Sequence, residues 1–237
     1  GTHVQQITDS RGFSGNPSWS PDGRWLLFSG NRGGGRQGIY RVASTGRGPI
    51  TPVTDVSDES IGQELARYSP DGKRIVFVDY RLMSVGGPGD PPTEVSALFT
   101  VRPDGHDLRR ITPWEIIAGD PDWSPDGHRI VFTARLETHQ RIQSLMVADA
   151  DGGHRRELTV GDGVTGDGPD FRYQESFNAG WSPDASRIIF VRASYTDADG
   201  FAQDVMTVRP DGGRLTRLPT EGMNEHQPDW GTAALIH

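Results

Sequence analysis

Two histidines with nearby glutamates are the residues whose types could support acid–base or metal chemistry in this chain. His139 lies two positions after Glu137, and His226 directly follows Glu225. Imidazole and carboxylate groups bind metals and transfer protons near neutral pH. Each pair lies in a polar segment, so solvated loop residues are the alternative interpretation. The two pairs form one catalytic or metal cluster only if the fold brings them together.

An acidic run, GDGVTGDGPD, is the second candidate. Asp162, Asp167 and Asp170 offer the hard oxygen ligands that calcium prefers. Their spacing does not follow the D-x-D-x-D-G pattern of the EF-hand loop, and a flexible acidic loop is the alternative. The sequence therefore predicts no cofactor, with calcium at this run as the alternative, and Asp197 and Asp199 form a weaker candidate of the same kind.

Several function classes lack support in the sequence. The 237 residues include no cysteine, which excludes thiol catalysis and thiolate metal sites, and neither G-x-S-x-G nor H-E-x-x-H occurs. The net charge of -8 argues against a nucleic-acid partner, because phosphate binding needs clustered basic residues. No apolar run approaches the roughly 20 residues that span a bilayer. We accordingly predict no nucleic-acid partner and no membrane span.

A four-fold repeat supplies the elements that must position these residues. WSPDGRWLLFSG returns as YSPDGKRIVFVD, WSPDGHRIVFTA and WSPDASRIIFVR, and QPDWG begins a fifth copy. The anchors are Trp19, Tyr68, Trp123, Trp181 and Trp230, at spacings of 49, 55, 58 and 49 residues. A period in this range is typical of propellers. Ser-Pro-Asp-Gly has the residue types of a type I turn, so turn formation explains it better than binding.

Each repeat resolves into four short strands. The anchor ends the first, and the second is LLF, IVF, IVF or IIF, apolar on both faces as in a strand between neighbouring sheets. The third strands are IYRVA, LFTVR, LMVAD and VMTVR. In the last three repeats an Asp-Gly turn then leads into a polar fourth strand at the edge, which is LRRIT, RRELT or LTRLP. Ala185 replaces the turn glycine in the fourth repeat, which predicts a slightly strained or different turn.

The repeated W-S-P-D-G, apolar triplet, D-G turn and closing L-T or I-T resemble the repeat of TolB-type β-propellers, which are related to WD-repeat propellers. This resemblance covers nearly the whole chain and implies an all-β propeller of four-stranded antiparallel blades. A β-sandwich is the alternative, but it does not require so regular a period. The resemblance also implies a periplasmic or extracellular location.

The predicted domain is a single propeller over 1–237, with repeats at about 9–54, 55–112, 113–159 and 160–219. Aligning GTHVQQIT with GHDLRRIT makes Val4 to Thr8 a fourth strand, so 1–8 and 220–237 would share a split fifth blade around Trp230. Relatives of the TolB type are typically six-bladed. A fragment of a larger ring, with further blades or domains in a longer parent chain, is the alternative.

Long and dissimilar loops are predicted at one face, while the short SPDG and Asp-Gly turns lie at the other. Binding residues are often carried on variable loops of a rigid scaffold. The predicted binding face consists of Tyr80, Arg81, Trp114, His139, Tyr173, Glu175, Tyr195 and His226. Aromatic side chains there suit protein or sugar recognition.

Two function classes follow, together with a third derived from the resemblance. The first is a non-catalytic scaffold that binds a protein, peptide or glycan on the loop-rich face. The second is a metal-assisted lyase or hydrolase that acts on an acidic saccharide, since some similar propeller enzymes use central histidines. The third is an accessory propeller of a larger peptidase, which resemblance to prolyl-oligopeptidase-like peptidases implies.

Overall fold

A computed structural model describes residues 4–8, 12–32, 35–56, 59–84, 91–136, 142–159, 172–196, 200–219 and 228. Within these ranges the protein is all-β apart from a short 3-10 turn at Trp114–Ile116. The chain divides into two compact units, Gly1–Pro121 and Asp122–His237. The single propeller domain over 1–237 stays a prediction.

Four antiparallel sheets of four strands match the four repeats, and they confirm the predicted fold class of a propeller built from four-stranded blades. Sheets 1 and 2 contain β1 (Ser14–Trp19), β2 (Trp25–Gly30), β3 (Gly38–Ala43), β4 (Thr51–Pro52), β5 (Ser60–Tyr68), β6 (Ile75–Met83), β7 (Thr93–Val101) and β8 (Arg109–Arg110). Sheets 3 and 4 contain β9 (Gly119–Trp123), β10 (Arg129–Arg135), β11 (Gln143–Asp149), β12 (Arg156–Glu157), β13 (Arg172–Trp181), β14 (Ile188–Thr196), β15 (Gly200–Val208) and β16 (Thr216–Arg217).

The strand order within each sheet follows the sequence, as the repeat predicts. All four first strands end at the anchor residue, and each fourth strand is a two-residue edge. Residues 4–8 contain no strand, in contrast to the prediction; Gln5 instead donates a hydrogen bond to the carbonyl of Thr45 at 2.9 Å. Pairing of this segment with the residues around Trp230 stays a prediction, because Trp230 lies outside the described residues.

The apolar triplets of the second strands form the cores. In the first unit Leu27 of β2 and Phe77 of β6 belong to one cluster, and in the second unit Val131 of β10 and Phe190 of β14 repeat this arrangement. The middle residue of one triplet therefore packs in the same core as the phenylalanine of the next. A strand covered on both faces predicts that the phenylalanine ending each triplet is buried, and Phe28, Phe77, Phe132 and Phe190 are 4%, 0%, 0% and 0% exposed.

The SPDG turn is held by a hydrogen-bond network that its own residue types supply. In the first copy the Ser20 hydroxyl donates to Asp22 at 2.6 Å and accepts from the backbone N–H of Trp25 at 2.9 Å. The same carboxylate accepts the backbone N–H of Arg24 at 3.0 Å. The other three copies repeat all three bonds. These hydrogen bonds explain why the serine and aspartate of the motif recur, because both side chains stabilise the turn.

We expect Ala185→Gly to stabilise the protein by about 0.5 to 1 kcal/mol. Ala185 adopts φ 57°, the left-handed conformation that glycine takes at the other three turns, and its N–H makes the same bond to Ser182 at 2.9 Å. The strain of a side chain there exceeds the entropy lost with glycine. Gly23→Ala should cost a similar amount, since no atom lies within 4 Å of the added Cβ. Urea unfolding measures both, and a less stable Ala185→Gly variant would contradict this account.

Stability should fall in acid as the four turn aspartates become protonated. Hydrogen bonds from the turn serines, followed by those from backbone N–H groups, lower the pKa of Asp22, Asp71 and Asp126, and that of Asp184 to about 2. A carboxyl group with a lowered folded-state pKa stabilises above its unfolded value of 3.8, and this contribution disappears as pH falls towards 2. We expect Asp184→Asn to lose less stability than the wild type between these pH values in acid titrations followed by fluorescence. Equal losses would contradict the assignment.

The closing threonines of the first three repeats have a shared structural role. Thr54, Thr112 and Thr159 are buried, and their hydroxyls accept the backbone N–H groups of Ile39, Leu98 and Leu145 at 3.1, 2.8 and 3.1 Å. Each bond joins the end of a repeat to its third strand. The threonine of the closing V-T, I-T or L-T pair therefore joins the end of each of these repeats to its own sheet.

Candidate functional site

Two hairpins extend further than the others at the ends opposite their SPDG turns. β6 and β7 form nine residue pairs from Ile75↔Val101 to Met83↔Thr93, and β14 and β15 form nine from Ile188↔Val208 to Thr196↔Gly200. The corresponding hairpins of sheets 1 and 3 have six and seven pairs. Pairing continues six residues beyond the core phenylalanine in the longer hairpins, but only two and three residues beyond it in sheets 1 and 3. At about 3.3 Å per residue, the longer hairpins therefore extend roughly 10 to 13 Å further. Strand pairing thus continues into segments that were predicted to be loops.

Exposed apolar side chains occur on these extensions. In the first unit Leu82 of β6 is 56% exposed, and Ile61 of the adjacent β5 is 42% exposed. In the second unit Tyr195 and Phe201 are direct cross-strand partners and are 37% and 56% exposed. Apolar side chains grouped at a strand end supply the contact area that protein interfaces use. Each projecting hairpin therefore carries a candidate contact surface.

A buried polar network lies beside the first of these hairpins. The Thr54 hydroxyl donates to Gln63 Oε1, and Gln63 Nε2 donates to Asp79 Oδ2 at 2.8 Å. The other oxygen of Asp79 faces Arg81 Nε at 3.4 Å, and Arg81 Nη1 donates to Glu59. Thr54, Gln63 and Asp79 are 8%, 2% and 3% exposed, whereas the Glu59 side chain is 76% exposed. We call these five residues the Asp79 network.

Neighbouring elements fix both ends of this network. Thr54 also accepts the N–H of Ile39 from sheet 1, so the network begins on a backbone group of the core. Gln63 N–H donates to the carbonyl of Gln37 at 2.9 Å, which joins the start of β3 to β5. Sheets 1 and 2 meet at this point, and their contact orders the buried amide and carboxylate.

Arg81 is held in a fixed orientation. Its guanidinium carbon lies 4.6 Å from the centre of the Trp114 ring, while its N–H groups contact Asp79 and Glu59. An arginine stacked on an aromatic face and paired with carboxylates loses little further entropy on binding. With two carboxylates and one guanidinium, the network has a formal charge of -1. The arrangement can present donors and acceptors to a polar group of a partner.

Trp114 belongs to the predicted binding face, and its side chain is buried. It is only 6% exposed and packs with Val95, Ala97 and Phe99, the last at 5.7 Å between ring centres. The 3-10 turn that carries Trp114 lies against β7, where the Ser96 hydroxyl donates to the carbonyl of Ala118 at 2.8 Å. The buried Trp114 ring therefore packs against the Arg81 guanidinium and limits its movement. Tyr80 pairs with Ser96 on β7 and is partly buried.

The other described residues of the predicted face lie in the second unit, on sheet 4. Glu175 of β13 pairs with Ala193, and Tyr195 of β14 pairs with Tyr173, whose side chain lies outside the described residues. Nearby, Arg217 forms an ion pair with Asp204 at 2.6 Å. The structure thus associates Glu175 and Tyr195 with the second projecting hairpin and Arg81 with the first.

The remaining predicted residues lie outside the described part of the chain. These are His139, His226 and the metal candidates Asp162, Asp167 and Asp170. Within the described ranges, no group of three or more histidine, aspartate and glutamate side chains is placed to hold a metal ion. Both the histidine cluster and the calcium alternative therefore stay predictions.

Sequence reasoning missed Asp79, Gln63, Thr54 and Glu59. One signal pointed to the first of them: Asp79 comes two positions after the core phenylalanine, where the other repeats carry Gly30, Ala134 and Arg192. A carboxylate at the end of a buried triplet requires hydrogen-bond partners. Thr54 belongs to the closing motif of its repeat, so its second role towards Gln63 had no separate signal.

Sequence comparisons find relatives that match only part of this chain. No protein-family model matches the chain. It is 30% identical over 132 residues to an uncharacterised protein of Agrobacterium fabrum and 28% identical over 148 residues to an uncharacterised peptidase of Bacillus subtilis. The matched regions cover 54% and 52% of this chain but 42% and 22% of those proteins. The chain thus spans less than half the length of either relative.

Two solved structures show the same fold. An oligogalacturonate lyase in complex with manganese matches with a TM-score of 0.64 and 18% identity, over 90% of this chain and 55% of that one. TolB from Acinetobacter baumannii matches with a TM-score of 0.55 and 21% identity, over 88% and 46%. At these identities the likeness establishes a TolB-like β-propeller fold. Among the described residues, no helix has the length and apolar character needed to cross a membrane.

Proposed function

We propose that this chain is a non-catalytic propeller module that binds a protein partner through its projecting hairpins. The observation that carries the proposal is the extension of β6–β7 and β14–β15, whose ends expose Leu82 and Phe201 at 56% each. Exposed aliphatic and aromatic side chains on a rigid strand ladder contribute contact area with little loss of backbone entropy.

At the first hairpin, a protein suits the surface better than a glycan. Leu82 and Ile61 are aliphatic, and they gain from burial against apolar side chains rather than against sugar hydroxyls. In the first unit the exposed Glu59 and the fixed Arg81 supply a polar edge beside them. An apolar centre with a charged rim is the usual composition of a protein interface.

Site-specific photo-cross-linking tests the proposal. A benzophenone amino acid at position 82 or 201 should capture one partner in extracts of the source cells, and the captured protein should then bind the purified chain. Leu108 and Leu215, which are 52% and 44% exposed and lie between third and fourth strands, provide matched controls. Equal capture from positions 108 and 215 would refute binding through the hairpins.

The second candidate function is a metal-assisted lyase or hydrolase acting on an acidic saccharide. Its support is the fold likeness to the oligogalacturonate lyase in complex with manganese. The assay incubates the chain with oligogalacturonate and Mn²⁺ and monitors the ultraviolet absorbance of unsaturated products. If the wild type cleaves the saccharide and His226→Ala abolishes this activity, the lyase or hydrolase function is supported and the non-catalytic function is wrong.

An accessory role within a larger peptidase is the third alternative, and the partial match to the Bacillus subtilis peptidase supports it. It predicts that the hairpins contact another domain of a longer parent protein. Cross-links from positions 82 and 201 would then map to the same polypeptide. The periplasmic or extracellular location, like the choice among protein, peptide and glycan, stays a prediction.

A further inference from the structure

A basic groove lies in the first unit at the end where the SPDG turns are found. It has a volume of about 490 Å³ and is lined by Arg41, Lys73, Arg74, Arg102, Pro103 and Asp104. Arg41 comes from β3 of sheet 1, and the other residues come from the turns before β6 and after β7 of sheet 2. Because β6 runs from Ile75 to Met83, the groove and the projecting end of this hairpin are at opposite ends of the strand.

The charge of this groove contrasts with that of the whole chain. Its lining contains four cations and one carboxylate, and Asp71 and Asp107 lie next to it as partners of Lys73 and Arg74. Counting both, the local formal charge is four minus three, or +1, in a protein with a net charge of -8. A local excess of positive charge within an acidic protein favours an anion at this position.

Contacts with their neighbours hold the arginines in place. The Arg41 guanidinium lies 4.7 Å from the centre of the Trp25 ring, and its Nε donates a long bond of 3.4 Å to Thr51. Arg74 pairs with Asp107, and Arg102 pairs with Asp104 at 2.9 Å. A guanidinium has five N–H donors, so these contacts leave others for a ligand. The donors are therefore largely preorganised.

Tyr68 lies beside Arg41 beneath this region. Burial raises the pKa of the phenol, and the neighbouring Arg41 guanidinium opposes that rise. The phenol therefore stays protonated near neutral pH and adds no negative charge. It leaves the positive charge of Arg41 available to the groove.

We propose that this groove binds a small polyanion, a ligand with two or more carboxylate or phosphate groups. Fixed guanidinium groups pair well with both kinds of oxyanion. The cations come from two adjacent sheets, so a ligand with separated charges can contact both sides. A volume of about 490 Å³ falls in the range of small-molecule sites and exceeds what a single oxyanion group fills.

Calorimetric titration with two probes tests this site, using pyrophosphate for phosphate chemistry and citrate for carboxylate chemistry. We expect at least one probe to bind with one ligand per chain and to bind more weakly as salt increases. The probe that binds more tightly identifies phosphate or carboxylate as the preferred group. Equal affinities indicate that the groove recognises the negative charge that both probes share. Absence of binding by both probes at low ionic strength would overturn the proposal.

Matched arginine variants locate the binding. Arg102→Gln and Lys73→Gln should each weaken binding about tenfold, the loss expected for one charge-assisted contact. Arg209 occupies the position equivalent to Arg102 in the fourth repeat and faces Asp211 at 3.9 Å, but it does not line the groove. Arg209→Gln should leave affinity unchanged. Equal weakening by Arg209→Gln and Arg102→Gln, or no weakening by Arg102→Gln and Lys73→Gln, would contradict a specific groove.

Discussion

Truncation of Phe77 to alanine is expected to lower the free energy of unfolding by about 3 to 5 kcal/mol. Phe77 is fully buried in the core of the first unit and stacks on its cross-strand partner Phe99 with 5.8 Å between ring centres. It also packs in the same cluster as Leu27 of the preceding sheet. Removal of the ring therefore leaves a cavity where two sheets meet. Urea unfolding followed by tryptophan fluorescence measures the loss.

Phe13 provides the matched control for this substitution. It lies in the same unit but is 48% exposed, so Phe13→Ala should cost less than about 1 kcal/mol. Because Phe132 and Phe190 occupy the equivalent buried positions, their alanine variants should resemble Phe77→Ala. A loss at Phe77 no larger than that at Phe13 would contradict the repeat-based core.

Replacement of Asp79 by asparagine is expected to cost about 2 to 3 kcal/mol, the second largest effect. The amide oxygen can still accept the bond from Gln63 Nε2, but the amide N–H₂ then faces the Nε–H of Arg81. Two donors face each other, and the guanidinium loses its buried counterion. The expected loss of stability is smaller than that for a fully buried ion pair, because the Arg81 side chain is 21% exposed.

Asp211 is the control for Asp79. It faces Arg209 at 3.9 Å with 63% of its side chain exposed, so the ion pair is solvated and Asp211→Asn should change stability by less than about 0.5 kcal/mol. The comparison keeps the substitution the same and varies burial. Similar losses for Asp79→Asn and Asp211→Asn would show that the Asp79 network does not order the first unit.

Most of the fold could be predicted because it depends on local chemistry. Ser20, Asp22 and Gly23 form a turn through bonds to one another and to the next strand, and the other copies repeat these bonds. The apolar triplets then require a strand covered on both faces. Neither inference needs information from distant parts of the chain, so one repeat predicts the architecture of the others.

The candidate site was less predictable because it depends on contacts between repeats. Gln63 reaches Asp79 across β5 and β6 and Thr54 from the preceding repeat, and no local pattern specifies that meeting. Trp114 was predicted as an aromatic of the loop-rich face, and no sequence pattern showed that the turn that carries it folds onto β7. The projecting hairpins were predicted as loops, because the apolar triplet that identifies the second strand ends well before the turn residues GGPGDPP and DADG, and no repeated motif covers the residues between.

The affinity of the captured partner for hairpin variants tests the central claim most directly. Leu82→Glu and Phe201→Glu each place a charge on an exposed apolar position of a projecting hairpin, whereas Leu108→Glu places the same charge on a 52% exposed leucine beside a short turn. If the hairpins bind the partner, at least one of the first two variants should raise the dissociation constant about tenfold or more, and Leu108→Glu should leave it unchanged. Unchanged affinity in both hairpin variants, or an equal loss in Leu108→Glu, would contradict the claim.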